Sequence, residues 1–95
     1  MGRVNHSFRM KLAEAINRIK SELLSMVVDE GRRRGAEKFF RACIEEANAL
    51  GNFDQPYIYG SMTIIGILDL QRQVDELRTD VERLKEELRC LKDTS

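Results

Sequence analysis

The sequence predicts an all-α protein that ends in a long dimerising helix, and three observations support this prediction. Apolar residues recur at helical spacing in the first half of the chain. A single break, at residues 51–60, contains the only proline. After this break, leucines recur at every seventh position. We therefore expect a helical hairpin followed by a long C-terminal helix that forms a parallel dimeric coiled coil.

The first two helices are predicted from apolar residues that repeat every three or four positions. This spacing predicts a first helix over residues 8–28, with Gly31 as its expected end. A second helix is predicted over residues 36–50, and Gly51 follows it where a helix C-cap glycine is expected. The two helices are expected to pack as a hairpin.

The third predicted helix divides the chain into two parts that pack as one compact unit. Ser61 is expected to cap this helix, which runs to about Lys92. Residues 1–60 then hold the helical hairpin and a proline-tyrosine turn, and residues 61–95 form a leucine-zipper dimerisation helix. Because a chain of 95 residues forms a small domain with a thin core, association with another chain is a natural source of further burial.

The third helix carries a heptad repeat of apolar residues. β-branched residues at three of the four a positions and leucine at every d position favour a two-stranded parallel coiled coil. Each fully buried side chain of this kind contributes roughly 1.5 to 3 kcal/mol, so the repeat supplies the expected adhesion. The a positions are Ile67, Val74, Val81 and Leu88, and the d positions are Leu70, Leu77, Leu84 and Leu91.

Charged residues beside the heptads predict the orientation of the pair. In a parallel, in-register dimer, each g residue faces the e residue five positions later in the other chain. This rule pairs Asp80 with Lys85 and Glu87 with Lys92, and both pairs are attractive. No asparagine or lysine occupies an a position to restrict the choice of partner. Related zipper proteins are therefore candidate partners beside a second copy of the chain.

Catalytic and metal-binding patterns are not found in the sequence. The lone histidine, His6, has no acid or nucleophile near it, and Cys43 and Cys90 are too far apart to form a metal-binding motif. We expect no enzyme activity, no cofactor and no metal ion. No apolar run is long enough to cross a bilayer, and the N-terminal residues lack the apolar core of a secretory signal. We expect an intracellular protein, nuclear or cytoplasmic, without a membrane partner.

Three consecutive arginines, Arg32, Arg33 and Arg34, form the one basic cluster. On a dimer they would be presented twice and would neutralise several phosphates, together with basic residues of the first helix. Those residues are Arg9, Lys11, Arg18 and Lys20. We favour a solvated corner between helices, because the net charge of the chain is zero and nucleic-acid-binding domains carry a basic excess.

Several segments occur in an order that is shared with a known family. They are residues 13–23 (AEAINRIKSEL), the arginine-rich segment, residues 46–49 (EANA), the turn with Pro56, Tyr59 and Gly60, and residues 70–74 (LQRQV). This order resembles the distal part of the plant lateral organ boundaries (LOB) domain, including its zipper-like helix. The four-cysteine zinc block of that family has no counterpart in this chain. The resemblance implies the dimerising half of a transcription regulator, which pairs with full-length relatives as an inhibitor.

Three hypotheses about function follow from these observations. The first is a non-enzymatic helical protein that forms homodimers or heterodimers and acts through protein partnership in transcription regulation. The second is a dimeric helical nucleic-acid-binding protein of a viral or phage type, which uses residues 32–34 and the bases of the first helix on phosphates. The third is a structural adaptor.

Overall fold

The structure, a computed structural model, describes residues 6–53 and 56–94, apart from the side chain of His6. The turn residues Asp54 and Gln55 lie outside the described residues. The described elements are α1 (His6–Glu22), a 3-10 helix (Leu24–Met26), α2 (Glu30–Glu45), α3 (Ala47–Asn52) and α4 (Ile58–Thr94). These ranges contain no strand. The all-α prediction and the long C-terminal helix are therefore confirmed.

A small core lies where α1, α2, α3 and the start of α4 meet. Its centre is Cys43 of α2 and Met62 of α4, both of which are fully buried. The remaining core residues are Phe8, Leu12, Ala15, Ile16, Phe40, Ala47, Leu50 and Ile58. Helix α1 packs chiefly on α3 and α4, whereas α2 packs chiefly on α4. Residues of α1 and α2 therefore meet in one core, together with α3 and the start of α4.

Helix α1 ends at Glu22, well before the predicted end near Val28. The hydroxyl of Ser25 donates a hydrogen bond of 2.7 Å to the carbonyl oxygen of Ser21, and such side-chain bonds compete with regular helix. Leu24 packs against the core from the 3-10 turn. Leu23 is 59% exposed and Met26 is 79% exposed, so the apolar spacing beyond Glu22 did not mark a buried helix face.

Helix α2 begins at Glu30, so the arginine cluster lies in a helix and not in a corner between helices. Asp29 is the N-cap, and its carboxylate accepts a hydrogen bond of 2.9 Å from the backbone N–H of Arg32. Gly31, the expected end of the first helix, lies in the first turn of α2. The predicted boundary was wrong because the capping bond of Asp29 satisfies an N–H group that otherwise lacks a partner at a helix start.

The predicted single helix up to Leu50 is divided into α2 and α3. The backbone of Glu46 (φ −101°, ψ 26°) leaves the regular helix, and α3 begins at Ala47. This change of direction brings α3 against α1. Gly51 lies inside α3 and is not a left-handed C-cap, since no described glycine has a positive φ.

Helix α4 begins at Ile58 and not at Ser61. Ile58 and Met62 are one turn apart and both are buried, so the helix must include Ile58 to place both on the same face. Ser61 is inside the helix and buried, and its hydroxyl has no hydrogen-bond partner among the described residues. It therefore does not cap the helix. The 37 residues of α4 span about 55 Å at 1.5 Å per residue.

Helix α2 crosses α4 where the ring of Phe39 lies on the backbone of Gly66. A Cβ atom built on Gly66 would be 2.6 Å from the Cδ1 and Cε1 atoms of this ring, which is closer than carbon atoms can pack. Glycine at this position is therefore required by the contact. The N-terminal half of α2 lies over the side of α4 that carries Thr63, Ile67 and Leu70. Its C-terminal half lies near Arg72, Gln73 and Glu76 of the same helix.

The open space between the N-terminal half of α2 and α4 is a groove of about 480 Å³. We call it the α2/α4 groove. The residues of α2 that line it are Gly31, Arg34, Gly35, Lys38 and Phe39. Its α4 side is formed by Thr63, Gly66, Ile67, Asp69, Leu70 and Gln73.

The thiol of Cys43 lies between α2 and α4, with its Sγ 3.9 Å from the carbonyl oxygen of Met62. Burial raises the pKa of this thiol to about 11, and the carboxylate of Asp69 adds to the shift. The group therefore stays protonated at neutral pH. Cys90, in contrast, is exposed on the distal part of α4.

Gly66→Ala is expected to destabilise the protein, although alanine is the better helix former by about 1 kcal/mol. The added methyl group would overlap the Phe39 ring, and overpacking of this kind costs roughly 1 to 3 kcal/mol. Urea denaturation at a fixed protein concentration should give a lower midpoint. Adding Phe39→Leu should recover part of the loss. A Gly66→Ala midpoint at or above that of the wild type would contradict the contact.

Iodoacetamide is expected to modify Cys90 in the native protein at pH 7 and Cys43 only after unfolding. The thiolate is the reactive form, and Cys43 is both buried and protonated. Intact mass and peptide mapping after a time course would measure this order. The matched control, Cys90→Ser, should take up no label until denaturant is added. Rapid native-state labelling of Cys43 would show that the core is open at α2.

Candidate dimerisation surface

The distal part of α4 extends away from the core. Every residue in the range 74–94 is exposed, over a length of about 30 Å. Helices in proteins gain most of their stability from packing of an apolar face. An isolated segment of this length is only marginally stable as a helix in water. An apolar side of this segment is therefore where packing would stabilise the helix.

All eight predicted a and d residues are exposed in the single chain. Their exposed fractions range from 40% for Val81 to 66% for Leu91. Together they form one continuous band, which we call the a/d stripe, about 36 Å long between Ile67 and Leu91. Apolar surface of this extent usually marks an interaction site.

The a/d stripe begins beside helix α2. The residues of α4 that α2 covers occupy heptad positions c and g, namely Met62, Gly66, Asp69 and Gln73. Position d is next to g around a helix, so the first residues of the stripe adjoin the covered side. Ile67 and Leu70 accordingly form part of the α2/α4 groove. The stripe therefore continues into the groove.

Ion pairs within α4 lie away from the a/d stripe. Arg72 contacts Asp69 at 2.8 Å and Glu76 at 2.7 Å, and Arg89 contacts Glu86 at 2.5 Å. The hydrogen bond from Arg72, with a second from Gln73, lowers the pKa of Asp69. All of these residues lie at positions b, c, f or g. Such pairs add about 0.2 to 0.5 kcal/mol each to an isolated helix and leave the a/d stripe uncovered.

The predicted interchain residues lie on the two flanks of the stripe. Asp80 lies 3.4 Å from Arg83, and Lys85 lies 3.8 Å from Glu82. Both intrachain contacts are exposed, and pairs of this kind contribute about 0.2 to 1 kcal/mol, so they compete only weakly with contacts to a partner. Glu87 and Lys92 are five residues apart, which is not a spacing at which side chains meet on one helix. The interchain pairs stay a prediction.

The arginine cluster does not form a single basic face. All three residues are exposed, but consecutive residues of a helix point about 100° apart, so the guanidinium groups fan around α2. Of the basic residues in α1, Arg18 is paired with Glu22 at 3.0 Å, and Lys20 lies over the ring of Phe40. Contact with nucleic acid therefore stays a sequence-based prediction.

The sequence interpretation missed the residues that shape the α2/α4 groove. Gly31 and Gly35 lie one turn apart on α2, and both line the groove. Their G-x-x-x-G spacing is a signal of close helix approach that was visible in the sequence. Ile64 and Leu68 of α4 are also exposed apolar residues outside the a/d stripe, at positions e and b.

Two further observations on the described residues concern metal ions and membranes. No three His, Cys, Asp or Glu side chains come together as a metal ion would require in the part of the chain that the structure describes. None of the described helices is long and apolar enough to span a membrane. Comparison of the chain with protein-family models, with curated proteins and with solved structures gave no match.

Proposed function

We propose that this chain is a non-enzymatic dimerisation protein whose two copies pair through their a/d stripes as a parallel coiled coil. The exposure of the a/d stripe carries this proposal. Eight apolar side chains at 40% exposure or more lie along one side of a helix whose residues 74–94 are all exposed. A second helix with the same repeat is the partner whose shape and spacing fit this surface.

The flanking charges support a parallel arrangement. In this orientation Glu87 faces Lys92 of the partner subunit, and Asp80 faces Lys85 of the partner subunit. An antiparallel arrangement would place g residues against g residues, and Asp80 and Glu87 are both acidic. Charge pairs at the edge of an interface contribute more to the choice of partner and orientation than to affinity.

The biological role proposed for the pair is regulation of transcription through protein partnership. The resemblance to the distal part of the LOB domain supports this role, because the matching segments are those next to the dimerisation helix of that family. In this role, the chain would regulate related zipper proteins by forming heterodimers with them. Protein partnership is then the activity, and no catalytic step is involved.

Leu84→Ala is expected to raise the dissociation constant of the dimer by about 100-fold or more. Truncating a buried leucine costs about 2 to 5 kcal/mol, the dimer holds two such residues, and 1.4 kcal/mol is a factor of ten. Sedimentation equilibrium over a concentration series would measure the change. The matched control is Arg83→Ala at the neighbouring outward c position, which should leave the constant within about threefold. A wild-type chain that is monomeric at micromolar concentration would overturn the proposal.

Glu87→Lys is expected to weaken the dimer at low salt, and adding Lys92→Glu in the same chain is expected to restore it. In a parallel pair the single change sets two like charges together at each of two symmetric sites, at about 0.2 to 1 kcal/mol each. Thermal unfolding of the wild type, the single variant and the double variant, at matched concentrations in low and high salt, would measure the change in dimer stability. An antiparallel dimer would show no restoration, because residues 87 and 92 of the two chains would then lie far apart.

A further inference from the structure

Two apolar residues of α4 lie outside both the core and the a/d stripe. Ile64 at position e is 49% exposed, and Leu68 at position b is 60% exposed. They are one turn apart on the same side of the helix. Helix α2 of the same chain covers the opposite side, at Gly66 and Gln73. Neither the core of the chain nor a simple two-helix zipper would bury them.

No contact among the described residues requires glycine at position 35. A Cβ atom built at this position meets no atom within 4 Å beyond its chain neighbours and the nearby backbone of its own helix, so alanine would fit. Glycine inside a helix lowers stability by about 1 kcal/mol relative to alanine. Because Gly35 lines the α2/α4 groove together with Gly31, the absent side chains leave room for another helix to approach the backbone of α2.

We propose that the α2/α4 groove binds helix α4 of a second copy, with Ile64 and Leu68 of the partner subunit seated against Gly31 and Gly35. This inference rests on the parallel dimer of the proposed function. In such a dimer, the e side of one helix faces the g side of the other. Since α2 covers the g side of its own α4, the e and b residues of the partner subunit face α2.

The position of the groove identifies the occupant as the same helix that covers the a/d stripe. Ile67 and Leu70, the first a and d residues, form part of the groove. A helix that packs along the stripe from Val74 onward therefore continues into the groove at this end. The charges also agree, because Arg34 and Lys38 line the groove and Asp75 is the next b residue after Leu68.

Gly35→Leu distinguishes a groove that is empty in the dimer from one that the partner subunit occupies. If the groove is empty in the dimer, leucine improves the helix and leaves dimerisation unchanged. If the partner subunit occupies it, the new side chain fills the space that the partner's Leu68 needs, and the dissociation constant should rise by about tenfold or more. Sedimentation equilibrium gives the constant, and circular dichroism of the variant checks that its helix content is retained.

Glu37→Leu is the matched control, because residue 37 is exposed on α2 and lines neither side of the groove. It should leave the dissociation constant within about threefold. A wild-type monomer would overturn the proposed function and this inference together. A wild-type dimer that Gly35→Leu does not weaken would overturn this inference alone.

Cross-linking between two differently labelled chains provides an independent measurement. One chain carries Gly35→Cys and the other Leu68→Cys, both with Cys90→Ser, and the two are refolded together. A short bis-maleimide should then join position 35 of one chain to position 68 of the other. Thr79→Cys, at the outward f position, replaces Leu68→Cys as the control and should give no such product. A dimeric mixture without the link between positions 35 and 68 would overturn the inference.

Discussion

The contact between the Phe39 ring and the backbone of Gly66 determines how the rest of the molecule is arranged. It sets α2 across the c and g side of α4. The core closes behind this crossing, around Cys43 and Met62. Because α2 occupies one side of α4 only, the a/d stripe beside it stays open. The contact between Phe39 and Gly66 therefore determines the position of the core and which side of α4 is left open as the candidate dimerisation surface.

The distal half of α4 shows why local interactions do not account for the long helix. Its ion pairs are exposed, such as Arg83 with Asp80 and Arg89 with Glu86, and each contributes only tenths of a kcal/mol. A heptad repeat also drifts by about 20° per repeat around a straight helix. The stripe is therefore continuous for a partner only when two helices supercoil around each other. The proposed coiled coil supplies this geometry, and it also buries the apolar residues that are exposed on the distal half of α4.

The sequence predicted the all-α class and the long C-terminal helix because the spacing of apolar residues distinguishes helices from strands well. It predicted boundaries poorly, since these depend on single contacts such as the Asp29 cap and the burial of Ile58. The crossing of α2 over α4 could not be predicted from the sequence, for a different reason. It depends on a side chain that is absent at Gly66, paired with Phe39 from a distant part of the chain, and no local pattern links the two.

The groove also bears on which partners the proposed dimer would accept. A zipper without a polar a residue discriminates weakly among related helices, so the a/d stripe alone would permit many pairings. In the proposed arrangement, α2 adds a second requirement, because the incoming helix must present apolar residues at its first e and b positions. A helix with a long charged side chain at either position would bring that charge against Gly31 and Gly35, where desolvation opposes binding. Selectivity would then arise from exclusion at α2 more than from attraction along the stripe.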